Sequence, residues 1–284
     1  MQVQHFFDPA TSTITYLAFD PVSLVGVLID PVLDYDARRV RLHTTSADAV
    51  AVAIDALGVR LAAVLETHVH ADHFSAMAFF RERYGALGVI GARITEVQAH
   101  FAAVYGLGAA FPTDGSQWDR TLCDGESLDL GPFEIIAHST PGHTPACTTW
   151  QIGELLFVGD VIFMPDFGTA RCDFPAGSAE QLYDSIQRLY RFPDHFRLHT
   201  CHDYQPGGRE LRWVCTVGEQ KATNKQLGSD TPREDFVQWR QERDAGLNLP
   251  ALMLAALQVN IRAGALPEPD ASGQRYLKLP LGRF

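Results

Sequence analysis

The segment THVHADHF, residues 67–74, begins where a predicted buried strand, RLAAVLET (60–67), ends. Alternate side chains of a strand face the same side, so His68 and His70 can converge on one point. We expect Asp72 and His73 to lie at the start of a helix over 74–84 and to point back toward the same place. Imidazole nitrogens and carboxylate oxygens bind zinc, iron and manganese well, so the segment predicts a metal site. A polar loop that is merely rich in histidine is the alternative, and four potential ligands at this spacing argue against it.

Three later residues extend this pattern, and each of them lies next to a predicted strand. His143 lies in the turn STPGHTPAC (139–147), Asp160 ends the apolar strand LLFVGD (155–160), and His202 closes HFRLHTCH (195–202). A lone carboxylate at the end of a buried strand is unfavourable unless it is paired or bound to a metal. Together with the first segment they predict one metal centre, built around His68, His70, Asp72, His73, His143, Asp160 and His202.

Predicted strands and helices alternate along the chain and indicate an α/β architecture. The predicted strands cover 14–19, 24–30, 60–67, 133–139, 147–152, 155–160 and 195–202. The predicted helices cover 47–57 with Ser46 as N-cap, 74–84, 179–191 with a capping box of Ser178 and Gln181, and 232–245 with a capping box of Thr231 and Glu234 around Pro232. This order favours a sandwich of two sheets with helices outside.

Composition and charge exclude several classes of protein. The 284 residues are 46% hydrophobic, which is enough for a large core, and they carry a net charge of -11. An acidic chain repels phosphate backbones, so we do not expect a nucleic-acid partner. No apolar run approaches the roughly 20 residues of a membrane helix, so we expect no membrane partner. The N-terminus does not resemble a signal peptide, and five scattered cysteines do not form a disulfide framework, so we expect a cytoplasmic location.

The motif HxHxDH, followed by a single His, by GD at a strand end and by a final His, resembles the metallo-β-lactamase superfamily in order as well as in content. The resemblance implies an αββα sandwich of two mixed β-sheets with helices outside and with metal at one edge. It also implies a catalytic domain over 1–214, and a C-terminal extension over 215–284 packed on the same domain.

Within that superfamily the chain resembles the persulfide dioxygenases, also called sulfur dioxygenases, which are related to glyoxalase II. The resemblance rests on THVHADH and TPGHTPAC, on ARCDFPAGSAEQLYDSI (170–186), and on the tail segments CTVGEQKATN (215–224), LNLP (247–250) and NIRAG (260–264). It implies oxidation of glutathione persulfide by O2 to sulfite and glutathione. One Fe(II) per chain would be held by His68, His143 and Asp160, which agrees with the two-histidine, one-carboxylate set of mononuclear iron oxygenases.

The other motif residues take outer roles if this resemblance holds. His70, Asp72 and His73 would hydrogen-bond around the iron, and Tyr204 would donate a hydrogen bond to bound oxygen, unless it only packs. In a dinuclear enzyme, Asp72, His73 and His202 would instead bind a second metal.

Arg171 and Arg262 are the predicted partners of the glutathione carboxylates, and a structural salt bridge is the alternative for each. Cys172, which stands where the family has threonine, puts the shape of this pocket in doubt.

Two other functions and the assembly state stay open at this point. A di-zinc thioester hydrolase of the glyoxalase II type, or a lactonase, would use the same ligand motif. A non-catalytic persulfide sensor would not need a complete ligand set. We expect a homodimer, because the apolar stretch PALMLAALQV (250–259) would need cover.

Overall fold

The computed structural model describes residues 1–282 and contains two six-stranded sheets, a small three-stranded sheet and seven α-helices. The strands are β1 (Gln2–Asp8), β2 (Thr13–Phe19), β3 (Val25–Ile29), β4 (Val32–Asp36), β5 (Arg41–His43), β6 (Arg60–Leu65), β7 (Phe74–Ser75), β8 (Leu87–Gly91), β9 (Arg120–Leu122), β10 (Ser127–Asp129), β11 (Glu134–Ser139), β12 (Thr148–Ile152), β13 (Leu155–Gly159), β14 (Arg197–Thr200) and β15 (Val214–Thr216). The helices are α1 (Thr45–Leu57), α2 (Met77–Tyr84), α3 (Ile94–Val104), α4 (Ala179–Leu189), α5 (Val217–Thr223), α6 (Arg233–Asp244) and α7 (Met253–Asn260).

Both large sheets are mixed. The first has the order β1-β2-β3-β6-β8-β9, antiparallel from β1 to β3 and parallel from β3 to β9. The second runs from β10 to β15 in chain order and is antiparallel except for the parallel pair of β13 and β14. The predicted α/β class with two mixed sheets is therefore confirmed.

The alternation of side chains along each strand explains the layers. In β2, Tyr16 faces the second sheet, where it packs in one cluster with Trp150 and Phe157. Its neighbour Leu17 faces the other way, into a cluster that includes Ile54 of α1. Because successive residues of a strand point to opposite faces, a fully buried strand supplies both layers at once. The second sheet packs on α4 in the same manner, which completes the predicted sandwich with helices outside.

Two predicted helix caps and one predicted helix start are wrong. Helix α1 begins at Thr45 after Thr44, and Ser46 does not cap it, because its hydroxyl donates to Asp34. Helix α6 begins after Pro232, and the hydroxyl of Thr231 accepts from the amide of Gly228, so the second capping box does not form. The Ser178 cap of α4 is confirmed, since its hydroxyl accepts from the Gln181 amide at 3.1 Å.

The third error concerns the metal-binding motif itself. Residues 66–73 form an irregular loop, which continues into the two-residue strand β7, and α2 begins only at Met77. Asp72 and His73 therefore lie on a loop between two strands, and not at the start of a helix. The antiparallel pairing of β7 with β4 replaces the predicted first turn of that helix.

The apolar stretch that suggested a dimer packs on its own chain. Met253, Ala256, Leu257 and Val259 of α7 are buried in this single chain, against the first sheet's helices and β7. This packing removes our reason for expecting a homodimer. The homodimer stays a prediction, but the apolar stretch no longer supports it.

The boundary between residues 214 and 215 also stays a prediction. No helix among residues 1–282 has the length and hydrophobicity to span a membrane.

Asn260, at the end of α7, connects the C-terminal segment by hydrogen bonds to the loop of residues 66–73, which we call the histidine loop. Its side-chain amide donates to the carbonyl oxygens of His70 and His73, both at 2.8 Å. Its side-chain oxygen accepts from the amide of Ser75 at 2.8 Å. An irregular buried loop cannot satisfy its own backbone groups, so this one side chain replaces the missing ladder of hydrogen bonds.

We predict that Asn260→Ala destabilises the protein and loosens the loop. The substitution leaves one amide and two carbonyl groups buried without partners, and we expect the free energy of unfolding to fall by about 2–5 kcal/mol. Urea denaturation in the presence of a chelator measures this loss separately from metal binding. The matched control is Asn248→Ala, because the exposed Asn248 side chain makes no hydrogen bond within residues 1–282. Equal stability of the two variants would contradict the role of Asn260.

Candidate metal centre

Two histidines and one aspartate form the first ligand group. His68 lies on the loop after β6, His143 on the turn after β11, and Asp160 directly after β13. One ligand atom from each lies within 4.8 Å of the others. Nε2 of His68 and Nε2 of His143 lie 3.8 and 3.7 Å from the same oxygen of Asp160, Oδ2. The three atoms thus surround a space that one ion can occupy.

The turn that presents His143 depends on a glycine. Gly142 has a φ of +146°, and a Cβ at this position would lie 2.4 Å from the backbone of Leu182 in α4. The chain can therefore pass against α4 only without a side chain at residue 142.

A second group lies on the other side of Asp160. It contains His70, Asp72, His73 and His202, with ligand atoms within 4.8 Å of one another. Nε2 of His202 lies 3.2 Å from Asp72 Oδ2 and 3.4 Å from Asp160 Oδ1. One oxygen of Asp160 therefore faces each group. All seven residues predicted from the sequence are brought together.

Hydrogen bonds on the outer side of the rings determine which nitrogen faces the centre. Nδ1 of His143 donates to the carbonyl of Arg171 at 2.8 Å, and Nδ1 of His202 donates to the carbonyl of Ser12 at 3.2 Å. A nitrogen that donates to a carbonyl carries the proton, so the opposite nitrogen, Nε2, has a free lone pair. Such outer partners are the usual means of orienting metal-binding histidines.

His68 is oriented in a related way. The hydroxyl of Thr67 donates to Asp30 at 2.8 Å, and its oxygen lies 3.1 Å from Nδ1 of His68. Because the Thr67 proton is used, its oxygen accepts from Nδ1 of His68, and Nε2 is again the free atom.

The inward atoms are buried and have no hydrogen-bond partner among the described residues. They are Nε2 of His68, His73 and His202, Nδ1 of His70, and Oδ1 of Asp160. A buried polar atom without a partner costs free energy, and most native proteins avoid it. A cation in the first group would satisfy Nε2 of His68, and a cation in the second group would satisfy the histidine nitrogens there, so the residues present fit a metal.

The ionisation of the group also suits a metal. Burial and the neighbouring His70 and His143 lower the pKa of His68 well below its usual value, so its ring is neutral. Burial opposes ionisation of Asp72, but His202 and His73 outweigh it and lower its pKa well below the usual range. Neutral imidazole and ionised carboxylate are the forms that bind metal ions.

Two carboxylates that the sequence interpretation missed hold His70. Nε2 of His70 lies 3.1 Å from Asp30 and 3.2 Å from Glu66. Burial would lower the pKa of His70, but these carboxylates raise it well above its usual value, and burial raises the pKa of Glu66 to about 7. Asp30 is the last residue of the predicted apolar strand 24–30, which is the same signal that identified Asp160, and Glu66 is the second-last residue of the predicted strand 60–67.

A cavity of about 370 Å³ opens onto this centre. Asp72, His143 and Asp160 form part of its wall, and Phe163 and Phe167 form an apolar part. Tyr204 also lines the cavity, with its ring stacked on His202 at 5.6 Å between centroids. Tyr204 is 43% exposed, and the partial burial of its ring together with the nearby carboxylates raises the pKa of its hydroxyl, which therefore keeps its proton. That hydroxyl has no hydrogen-bond partner within residues 1–282. Its role as a donor stays a prediction.

The two predicted substrate arginines differ in position. Arg171 lines the cavity, but it is paired with Asp173 and donates to the carbonyl of Asn248 at 2.8 Å. Arg262 is not among the residues that line this cavity, and its guanidinium donates to the Gln258 carbonyl and lies 4.7 Å from the centroid of the Phe111 ring. Contact of either residue with substrate stays a prediction, and the position of Arg262 offers it no support.

Known proteins resemble the chain over nearly its whole length. It is 49% identical to a probable metallo-hydrolase of Burkholderia pseudomallei, with 99% of each chain covered. It is 29% identical to the mitochondrial persulfide dioxygenase ETHE1 of Bos taurus, over 94% of this chain and 91% of that protein. The solved structure of ETHE1 from Myxococcus xanthus is 30% identical and covers 93% of this chain and 100% of its own, with a TM-score of 0.74.

Some relatives are longer than this chain. The chain spans 64% of the length of a beta-lactamase hydrolase-like protein of Xylella fastidiosa, with which it shares 46% identity. Residues 25–202, which include all seven ligand-type residues, match the family model of the metallo-β-lactamase superfamily. With the sandwich fold and the ligand order both observed, the chain belongs to the metallo-β-lactamase superfamily.

Proposed function

We propose that this protein is an iron-dependent persulfide dioxygenase that converts glutathione persulfide, O2 and water to glutathione and sulfite. The observation that carries the proposal is the separate group of His68, His143 and Asp160, which converges beside an open cavity. Two histidines and a carboxylate on one side of a metal are typical of non-haem Fe(II) oxygenases, because the other positions stay open for two reactants. In this proposal one Fe(II) binds per chain.

The similarity to proteins named persulfide dioxygenase supports this choice. It extends beyond the ligand motif to more than nine tenths of this chain, and so includes α6 and α7. In this structure α7 contacts the histidine loop through Asn260. A likeness of that extent is more than a shared metal motif would require.

Iron, when bound, would supply one point at which a persulfide sulfur and O2 can meet in a fixed orientation. The chain supplies the surroundings. Phe163 and Phe167 exclude water from one wall of the cavity, and the protonated hydroxyl of Tyr204 can donate a hydrogen bond to a reactant. His70, held by Asp30 and Glu66, keeps the loop beside His68 in place.

A second candidate is a two-metal hydrolase acting on a thioester such as a glutathione conjugate. The observation that favours it is the intact second group, in which Nε2 of His73 and Nε2 of His202 are buried without partners. The name of the Burkholderia pseudomallei relative, a probable metallo-hydrolase, points the same way. The two candidates differ in metal number and in whether O2 is consumed.

We predict that iron-loaded protein consumes one O2 for each glutathione persulfide and releases one sulfite. An oxygen electrode and a sulfite assay measure both quantities. Zinc-loaded protein is the control and should consume no O2, because zinc has no redox chemistry. Hydrolysis of S-lactoylglutathione by the zinc form, with no O2 consumption by the iron form, would replace the proposal with the second candidate.

We also predict that the two ligand groups respond differently to substitution. Asp160→Ala removes a ligand and a negative charge, so iron and activity should both be lost. His202→Ala should keep about one iron per chain, although activity can fall by about 10–100-fold through a disturbed outer partner.

The matched control for both variants is His195→Ala, because His195 is exposed and contacts Glu154 and the ring of Phe196 rather than any residue of the two ligand groups. Iron and zinc per chain are measured for all variants purified side by side. A His202→Ala variant with half the metal content of the unmodified protein would show that His202 binds a second metal.

A further inference from the structure

We infer that Arg243 binds a carboxylate of the substrate on the α6 wall of the cavity, and that the cavity thereby selects thiols and persulfides with an anionic tail. The inference rests on the proposed function, and it adds a residue that the sequence interpretation did not identify. Arg243 lines the same cavity as Asp72, His143 and Asp160. A substrate whose sulfur lies at the metal ligands would therefore lie in the same open cavity as this exposed guanidinium.

Most other polar side chains of the cavity are already occupied. The side-chain oxygen of Gln226 accepts from the amide and hydroxyl of Thr169, both at 2.8 Å, and its side-chain amide donates to Phe167. Arg171 is neutralised by Asp173. Few hydrogen-bonding atoms of these side chains therefore remain available to a ligand.

Arg240 is occupied in a way that also positions Arg243. Its guanidinium pairs with Asp244, and both side chains are buried. Asp244 also accepts a hydrogen bond at 2.7 Å from the backbone amide of Cys172, the residue that follows Arg171 in the chain. This buried pair holds the last turn of α6 against the cavity, so the backbone of Arg243 is fixed before any ligand binds.

Arg243 itself has no ion pair and no side-chain hydrogen bond within residues 1–282, although the chain as a whole carries a net charge of -11. Among the arginines that line the cavity it is the one whose charge is not balanced by an aspartate. An acidic protein repels anionic ligands, so a local unpaired cation determines where their charge can bind. A guanidinium forms two parallel hydrogen bonds with a carboxylate, a geometry that a neutral tail cannot use.

The test compares Arg243→Gln with Arg38→Gln, an exposed arginine outside the cavity whose guanidinium makes no hydrogen bond within residues 1–282. Each iron-loaded enzyme is assayed with the persulfide of glutathione and with the persulfide of glutathione diethyl ester, which lacks both free carboxylates. For Arg243→Gln we expect KM for glutathione persulfide to rise about 10-fold or more, which is the usual effect of losing a charged hydrogen bond. We expect kcat to stay within about twofold, and KM for the ester to be unchanged.

An unchanged KM for glutathione persulfide would overturn the inference, and so would an equal loss with both substrates. Binding of glutathione and of its diethyl ester to the metal-loaded protein, measured by calorimetry, tests the inference even if the dioxygenase proposal fails. Glutathione should bind the unmodified protein more tightly than the ester does, and Arg243→Gln should remove that difference. Equal binding of the two ligands to the unmodified protein, or no measurable binding of glutathione, would also overturn the inference.

Discussion

The carboxylate of Asp160 is the interaction on which the rest of the centre depends. One of its oxygens lies 3.7 Å from His143 and 3.8 Å from His68, and the other lies 3.4 Å from His202. It therefore belongs to a three-residue group and at the same time borders the second group. This position allows the same residues to hold either one metal or two, and we expect the reaction type to depend on which positions a metal fills.

The scaffold keeps these residues in place through bonds made on the side away from the centre. Carbonyl groups of Ser12 and Arg171 each fix one ring, and Asn260 holds the backbone of the histidine loop. These contacts come from the first hairpin, the segment before α4 and the last helix. The centre thus depends on distant parts of the chain, which is why a substitution far from the ligands in sequence can change metal binding.

The ligand set and the sandwich could be predicted because both follow from local patterns. Apolar runs such as 155–160 predict the strands, and a histidine or carboxylate at the end of such a run is a recognisable candidate ligand. The helix over 74–84 was predicted to start too early, because a two-residue strand pairs with β4, and this pairing has no local signal. Asn260 and Arg243 were missed for a similar reason. Their roles come from contacts across more than 180 residues in one case, and from the balance of charges around a cavity in the other.

We propose that one iron binds at His68, His143 and Asp160. The most direct measurement is a crystal structure of the iron-loaded protein prepared without oxygen, with anomalous scattering recorded on both sides of the iron absorption edge. We predict one iron peak per chain, within bonding distance of Nε2 of His68, Nε2 of His143 and a carboxylate oxygen of Asp160. A second metal peak between Asp72, His73 and His202 in catalytically active crystals would contradict it.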